Sequence, residues 1–170
     1  METAFNGLIV LMVLMLLVFT FAYGYLQLQE GAMDSVRAME SRLSDQLKTD
    51  LTPISAETMG GGGIVNVTIA NEGDVKLADF DRWDVIVEYE GTTGGQQIAW
   101  LPYEGSADSR WMVSGIYAAG ESEAFEPNVL NPGEELVMQL WLSPTVALTS
   151  TNRVTVATPN GVSASAIFTY

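Results

Sequence analysis

From Thr3 to Gln29 the chain carries no charged side chain, a run of 27 residues, and its middle, Leu8–Phe19, reads LIVLMVLMLLVF without one polar group. At about 1.5 Å per residue, a helix over this run reaches roughly 40 Å, enough to cross the hydrocarbon of a bilayer. Apolar on every face, such a helix has to be surrounded by lipid or by other protein. A cleaved secretory signal fits poorly, because Met1-Glu2-Thr3 is acidic where a basic region belongs and Phe21–Leu26 continues the pattern with aromatics. A single-pass membrane anchor is the plainer alternative. No Lys or Arg precedes the run, and the first basic residue after it is Arg37. A membrane segment ordinarily has positive charge on its cytoplasmic flank, so the sequence reads as a mature chain whose basic leader has been removed.

The helix is expected to continue past the apolar run. Met33, Val36, Met39, Leu43, Leu47 and Leu51 recur at spacings of three and four, one stripe on a helix of 3.6 residues per turn. Asp34–Arg37 and Asp45–Lys48 add i,i+3 pairs, and Pro53 supplies the stop. The pattern predicts one near-continuous helix over residues 2–51, on the order of 75 Å long. No small domain buries a helix of that length.

After Met59 comes a run of four glycines, Gly60–Gly63, which reads as a flexible linker over residues 53–63 that lets the following domain tilt. The pattern then switches to period two. Val65, Val67 and Ile69 alternate with Asn66, Thr68 and Ala70, and Trp83, Val85, Val87 and Tyr89 alternate with Asp84, Ile86 and Glu88. Further strands are predicted at Gln97–Leu101, Trp111–Tyr117, Glu135–Leu142, Arg153–Thr158 and Val162–Tyr170. Asn71-Glu72-Gly73, Gly94-Gly95, Asn131-Pro132-Gly133 and Pro159-Asn160-Gly161 mark turns between them. The expected class is therefore α+β: a long hydrophobic N-terminal helix over residues 1–52, then an Ig-like antiparallel β-sandwich over 64–170.

Composition excludes most chemistry. With no Cys and no His, the chain has no disulfide, no thiolate nucleophile, no Ser-His-Asp triad and no ordinary zinc site. Seven basic against 21 acidic residues give a net charge of −14, which argues against nucleic acid and anionic lipid headgroups as partners. Asp79, Asp81 and Asp84, near Glu72 and Asp74, lack calcium-loop spacing and read as a solvated acidic loop. Glu121, Glu123 and Glu126 read as a solvated face, and Gly60–Gly63 lacks the Lys-Ser/Thr that phosphate cradling needs. No enzyme activity, cofactor or metal is expected. Asn66-Val67-Thr68 is the one N-glycosylation sequon, with Asn66 on the outward face of its strand. Tyr23 and Tyr25 sit where interfacial aromatics would sit. Trp100, Tyr103 and Trp111 are either core residues or an exposed adhesive tip.

An apolar N-terminus, a two-part helix and a C-terminal sandwich resemble type IV pilin-like subunits, and among these the archaellins, the flagellins of archaea. The likeness is carried by Phe5-Asn6-Gly7-Leu8 leading the apolar run and by Val18–Tyr23. It continues through Ile64–Gly73 as a first strand with its Asn-x-Gly turn, Leu130–Glu134, and Pro159–Val162. Phe5 stands where bacterial-type pilins carry a glutamate, which favours the archaellin resemblance. The resemblance implies a helical homopolymer, membrane-inserted before an assembly machinery extracts it and then part of an extracellular motile filament. Its helices would pack at the axis through Phe5, Leu8, Ile9, Met12, Met15, Leu16 and Phe19. Two alternatives share the same plan: an adhesive pilus subunit, and a membrane-anchored stator component whose sandwich contacts the cell envelope.

Overall fold

The computed structural model describes residues 2–104, 109–122 and 125–170 and, of these, the side chains of all but 2–5, 26, 28 and 30–32. Two compact units are present, Met1–Leu43 and Ser44–Tyr170. The first is helical over its described residues. α1 runs Glu2–Lys48, so its last turn belongs to the second unit. Glycine at position 24 leaves the helix unbroken, because an isolated glycine costs only about 1 kcal/mol. The Asp34–Arg37 pair forms at 3.5 Å on the exposed surface.

The second unit is a two-sheet antiparallel sandwich, as expected. One sheet has the order β1-β2-β7-β5-β6 and the other β4-β3-β8-β9. The strands are β1 Leu51–Met59, β2 Ile64–Asn71, β3 Asp84–Glu90, β4 Gln96–Leu101, β5 Arg110–Ala118, β6 Glu121–Ser122, β7 Glu134–Trp141, β8 Thr151–Ala157 and β9 Ser163–Thr169. Period-two alternation sends Val65, Val67, Ile69, Leu136, Met138 and Leu140 inward from the first sheet. Val85, Val87, Tyr89, Val154, Val156 and Phe168 meet them from the second. Phe80 and Trp83 close one end edge to face, 5.2 Å between ring centroids. Buried Asn71 holds the turn after β2: its Nδ2 donates to the carbonyls of Val75 (2.8 Å) and Leu130 (3.1 Å), and its Oδ1 accepts from Gly73 N–H (3.2 Å).

Two expectations are corrected at the entrance to the sandwich. The helix stops at Lys48, before Pro53 is reached. Its end is held by the chain that follows: the Asp74 N–H donates to the Lys48 carbonyl (2.7 Å) and the Glu72 N–H to the Asp50 carbonyl (2.9 Å). The Gln46 side chain donates to the Asn160 carbonyl at 2.5 Å, and Asn160 Nδ2 donates to Thr49 Oγ1 at 2.7 Å. The bond to the Lys48 carbonyl satisfies one of the acceptors that a helix C-terminus leaves open, and the others tie the residues around it to the sandwich. Leu51, placed in the helical stripe by its spacing, is instead the buried first residue of β1.

Residues 53–59, expected as linker, pair along β2 from Pro53↔Ile69 to Met59↔Ile64. The glycine run is the turn of that hairpin, with Gly60, Gly61 and Gly62 at φ of 59°, 68° and 87°. Glycine is required here for conformation and for space, since a Cβ on Gly62 would stand 2.8 Å from the Val146 carbonyl oxygen. The Gly62 and Gly63 carbonyls accept the N–H groups of Val146 and Leu142, each at 2.9 Å. A run bonded at both ends in this way is no hinge.

Candidate assembly surface

The first unit carries a continuous exposed apolar surface. Asn6–Tyr25 is a 20-residue segment with mean hydropathy 2.5, long and apolar enough to cross a membrane. Every side chain from Leu8 to Phe19 is exposed, and Phe19 reaches 69%. Burying such a side chain is worth about 1.5–3 kcal/mol, so leaving twelve in water would cost on the order of 20 kcal/mol. That exceeds the whole stability of an ordinary domain. The helix therefore has a covering of lipid or protein wherever the molecule resides.

The backbone and polar side chains suit either covering. Thr20 is the first polar side chain after Leu8, and its hydroxyl donates to the Leu16 carbonyl at 2.8 Å, so it brings no unpaired group into an apolar medium. Gln27 Nε2 donates to the Tyr23 hydroxyl at 3.2 Å, which puts a polar pair at the end of the apolar segment. Gly7, Leu11, Leu14 and Val18 line a shallow apolar groove along the helix, the shape a neighbouring helix ridge fills. Of the expected packing residues, Leu8, Ile9, Met12, Met15, Leu16 and Phe19 all lie on this surface. Phe5 falls within α1, with its side chain outside the described residues. At about 100° per residue these seven positions fall within an arc of about 120°, one broad stripe along α1, and the exposed apolar residues between them carry the surface round to the other faces. The second part of the helix continues the apolar surface through exposed Met33, Val36, Met39, Leu43 and Leu47.

In the sandwich the three aromatics of interest separate. Trp111 is fully buried and packs edge to face on half-buried Tyr103, 4.8 Å between centroids; its indole N–H has no partner among the described residues. Trp100 is exposed on β4, its Nε1 donating to Asp84 Oδ1 at 2.9 Å. Desolvation, then the neighbouring charges of Glu104 and Asp81, raise the Tyr103 pKa above the ordinary 10.0, and burial raises that of Tyr89. Asp79 pairs loosely with Arg82 at 3.9 Å. No three acidic side chains converge as cation ligands among the described residues. Glu126 binds Lys76 at 2.7 Å, Glu121 lies in β6, and Glu123 lies outside the described residues. Asn66 occupies the outer face of β2. Its Oδ1 accepts from Gln139 Nε2 at 3.1 Å and its Nδ2 lies 2.9 Å from Met59 Sδ. Of the apolar outer surface around β4 the sequence names Trp100 but not Ile98, because both alternate like core residues and only their exposure shows which face they take.

Among the described residues the chain is thus an apolar helix long enough to cross a membrane, followed by a two-sheet antiparallel sandwich, and comparison with known proteins gives this architecture a family. The chain belongs to the archaeal-type flagellin family, whose model matches residues 2–168. Its fold is similar to that in the archaeal flagellum of Methanospirillum hungatei strain JF1, with a TM-score of 0.62 and 13% identity over 96% of this chain and 91% of that one. It is also similar to the archaellum periplasmic stator protein FlaG from Sulfolobus acidocaldarius, with a TM-score of 0.55 and 19% identity over 71% of this chain and 99% of that one. The complex of FlaF and FlaG from the same organism gives a TM-score of 0.52 and 21% identity over 69% of this chain and 87% of that one. At these identities the likeness is one of fold. No curated protein matches the sequence. The family and these neighbours are structural proteins, not enzymes, and they place the chain in the context of the archaellum, a cell-surface appendage.

Proposed function

We propose that this chain is the repeating subunit of an archaellum-type helical filament that drives swimming. The helix α1, Glu2–Lys48, would form the core and the sandwich from β1 to β9 the outer sheath. The observation that carries the reading is the helix exposed on every face from Leu8 to Phe19. A lone anchor needs only lipid around it, but the amphipathic extension Met33–Leu47 lies beyond the 20-residue apolar span and also needs apolar neighbours. Copies of the same helix supply them.

Assembly on this reading starts from a membrane-inserted precursor. Transfer from acyl chains to a helix bundle gains little hydrophobic energy, because both media are apolar, so close packing has to drive it. Phe5, Leu8, Ile9, Met12, Met15, Leu16 and Phe19 would make those contacts. The flexible thioethers of Met12 and Met15 adapt to non-identical neighbours. Extraction from lipid then falls to a dedicated assembly machinery. The acidic sheath keeps filaments apart in solution.

Electron microscopy of material sheared from cells, with the chain identified by mass spectrometry, tests the proposal. Filaments about 100 Å wide with helices packed on the axis are expected, from cells that lose swimming when the chain is deleted. Filaments from cells that adhere but never swim would make it a pilus subunit. A chain confined to the membrane fraction, with no filament, would refute the subunit reading in favour of an anchored stator component.

A further inference from the structure

The borders of the two sheets differ in how they are protected. β1 carries Pro53, Glu57 and a register break between Pro53 and Ser55. β9 lies against β1, where Thr58 Oγ1 donates to the Thr169 carbonyl at 3.2 Å and the Thr149 N–H donates to the Tyr170 carbonyl. β5 is covered at Tyr117 and Ala118 by β6 and breaks register between Val113 and Gly115. Prolines, charges, bulges and covering segments are the devices that stop an edge strand from pairing with another chain. β4 has none of them between Gln96 and Leu101: its register with β3 is unbroken there and it holds neither proline nor charge, and the edge is closed only beyond it, at Pro102, whose carbonyl accepts the Trp111 N–H at 3.1 Å.

The free hydrogen-bonding groups of β4 can be assigned. The Gly91 N–H donates to the Gly95 carbonyl at 3.2 Å, which starts the ladder between the two strands. Antiparallel alternation then turns the backbone groups of Gln97, Ala99 and Leu101 toward β3 and those of Gln96, Ile98 and Trp100 away from it. The same residues put side chains on the outer face, Ile98 at 74% exposure and Trp100 at 58%, with Ile86 opposite Trp100 on β3. Asp84 fixes the Trp100 ring. Arg153 donates to both carboxylate oxygens of Glu88, at 2.8 and 2.7 Å, so the rung beside Ile98 is neutral.

We propose that β4 is a docking edge for an extended cationic segment of a partner protein, apolar at alternate positions and flanked by Lys or Arg. Backbone pairing supplies the attachment, and Ile98 and Trp100 select apolar side chains across the strands. Charge selects the ends. Residues 91–103 hold no Lys, Arg, Asp or Glu, yet Glu90 and Glu104 bracket them on a chain of net charge −14. A second copy would bring the same brackets. Paired antiparallel about Ile98, it would bring its own Glu90, opposite Gln96 on β3, and its own Glu104 to an edge that already carries both. A basic strand reverses that repulsion. The inference concerns the sandwich and holds whether the helix packs in a filament or in a membrane.

The test uses the full chain in detergent micelles and two synthetic probes: Lys-Lys-Thr-Val-Thr-Val-Thr-Lys-Lys, and the same peptide N-methylated at its five central residues. Hydrogen exchange is read at the amides of Gln96, Ile98 and Trp100. The first peptide is expected to slow all three at least tenfold, and the second to leave them unchanged. Ile98→Pro removes an outward N–H without breaking the ladder to β3, and Ile98→Lys keeps every backbone group while adding a repelling charge; each is expected to abolish the protection with the thermal midpoint held. Equal effects of the two peptides would reduce the contact to charge alone and overturn the proposal. So would the absence of protection. Protection of the same amides in the chain alone, with a dimer mass, would overturn the cationic partner in favour of a second copy.

Discussion

Gly73→Ala tests how rigidly the end of the helix is seated. An ideal Cβ at Gly73 would collide with the Lys48 carbonyl oxygen, lie 2.5 Å from the Asp50 nitrogen and sit 3.0 Å from Thr49 Cα. All three obstacles are backbone, so no side-chain rotation relieves them. Moving the Lys48–Asp50 segment aside breaks the bonds from Asp74 N–H (2.7 Å) and Glu72 N–H (2.9 Å); moving the loop instead releases the Asn71 side chain from Gly73 (3.2 Å). Two backbone bonds at about 0.5–1.5 kcal/mol each, with an overpacking strain of about 1–3 kcal/mol, give a destabilisation of about 3 kcal/mol. Guanidinium unfolding of the full chain in detergent, followed by fluorescence of the buried Trp83 and Trp111, reads the loss. Trypsin cleavage after Lys48 reads the opened joint. Gly94→Ala is the control: nothing lies within 4 Å of its Cβ, and its φ of 87° carries only the left-handed strain of about 1–2 kcal/mol. A Gly73→Ala chain unfolding within 0.5 kcal/mol of the native one, with Lys48 still uncut, would refute the reasoning.

Met15→Lys or Phe19→Asp should abolish filaments, because a charge enters a surface that needs apolar neighbours. The unfolding midpoint of the sandwich should stay unchanged, and electron microscopy with chemical denaturation separates the two effects. The sandwich should weaken in alkali. Tyr89 and Tyr103 have folded pKa values raised above 10.0, so their contribution is fully present below pH 10 and is lost as pH rises through the raised values. Replacing both by Phe should flatten that limb of the curve of thermal midpoint against pH. Asn66 is engaged by Gln139 and Met59 within the folded sheet, so a glycan is expected there only when attached before folding. Intact mass should show the addition on chain made by cells with a glycosylation machinery and none on folded chain exposed to that machinery afterwards.

The helix and seven of the strands are legible because each has a strong period. Ile64–Asn71 matches its strand residue for residue, and all seven residues that the alternation turns inward, Val65, Val67, Ile69, Trp83, Val85, Val87 and Tyr89, are buried, while Ala70, expected outward, is buried as well. β1 was hidden by its own composition. Pro53 reads as a terminator and Gly60–Gly63 as a linker, yet an edge strand tolerates proline and a hairpin turn needs glycine. The helix end was misplaced by three residues because its stop signal is tertiary: the carbonyls of Lys48 and Asp50 are taken by residues more than 20 positions later. The packing surface was legible in the apolar run itself, since no short chain can cover it. The β4 edge was not, because unpaired backbone leaves no mark in the sequence.

The closure of the glycine hairpin has a consequence in time. Gly62 and Gly63 are held by Val146 and Leu142, Tyr170 packs on the position where a Gly62 side chain would be, and β2 pairs with β7 across some 70 residues of chain. Pairings so distant in sequence form slowly and cannot begin until the later strands exist. During synthesis the apolar helix emerges long before residue 140, so it meets its lipid or its neighbours while the sandwich is still unfinished. The order of the sequence thus delivers the assembly element first and the finished outer domain last.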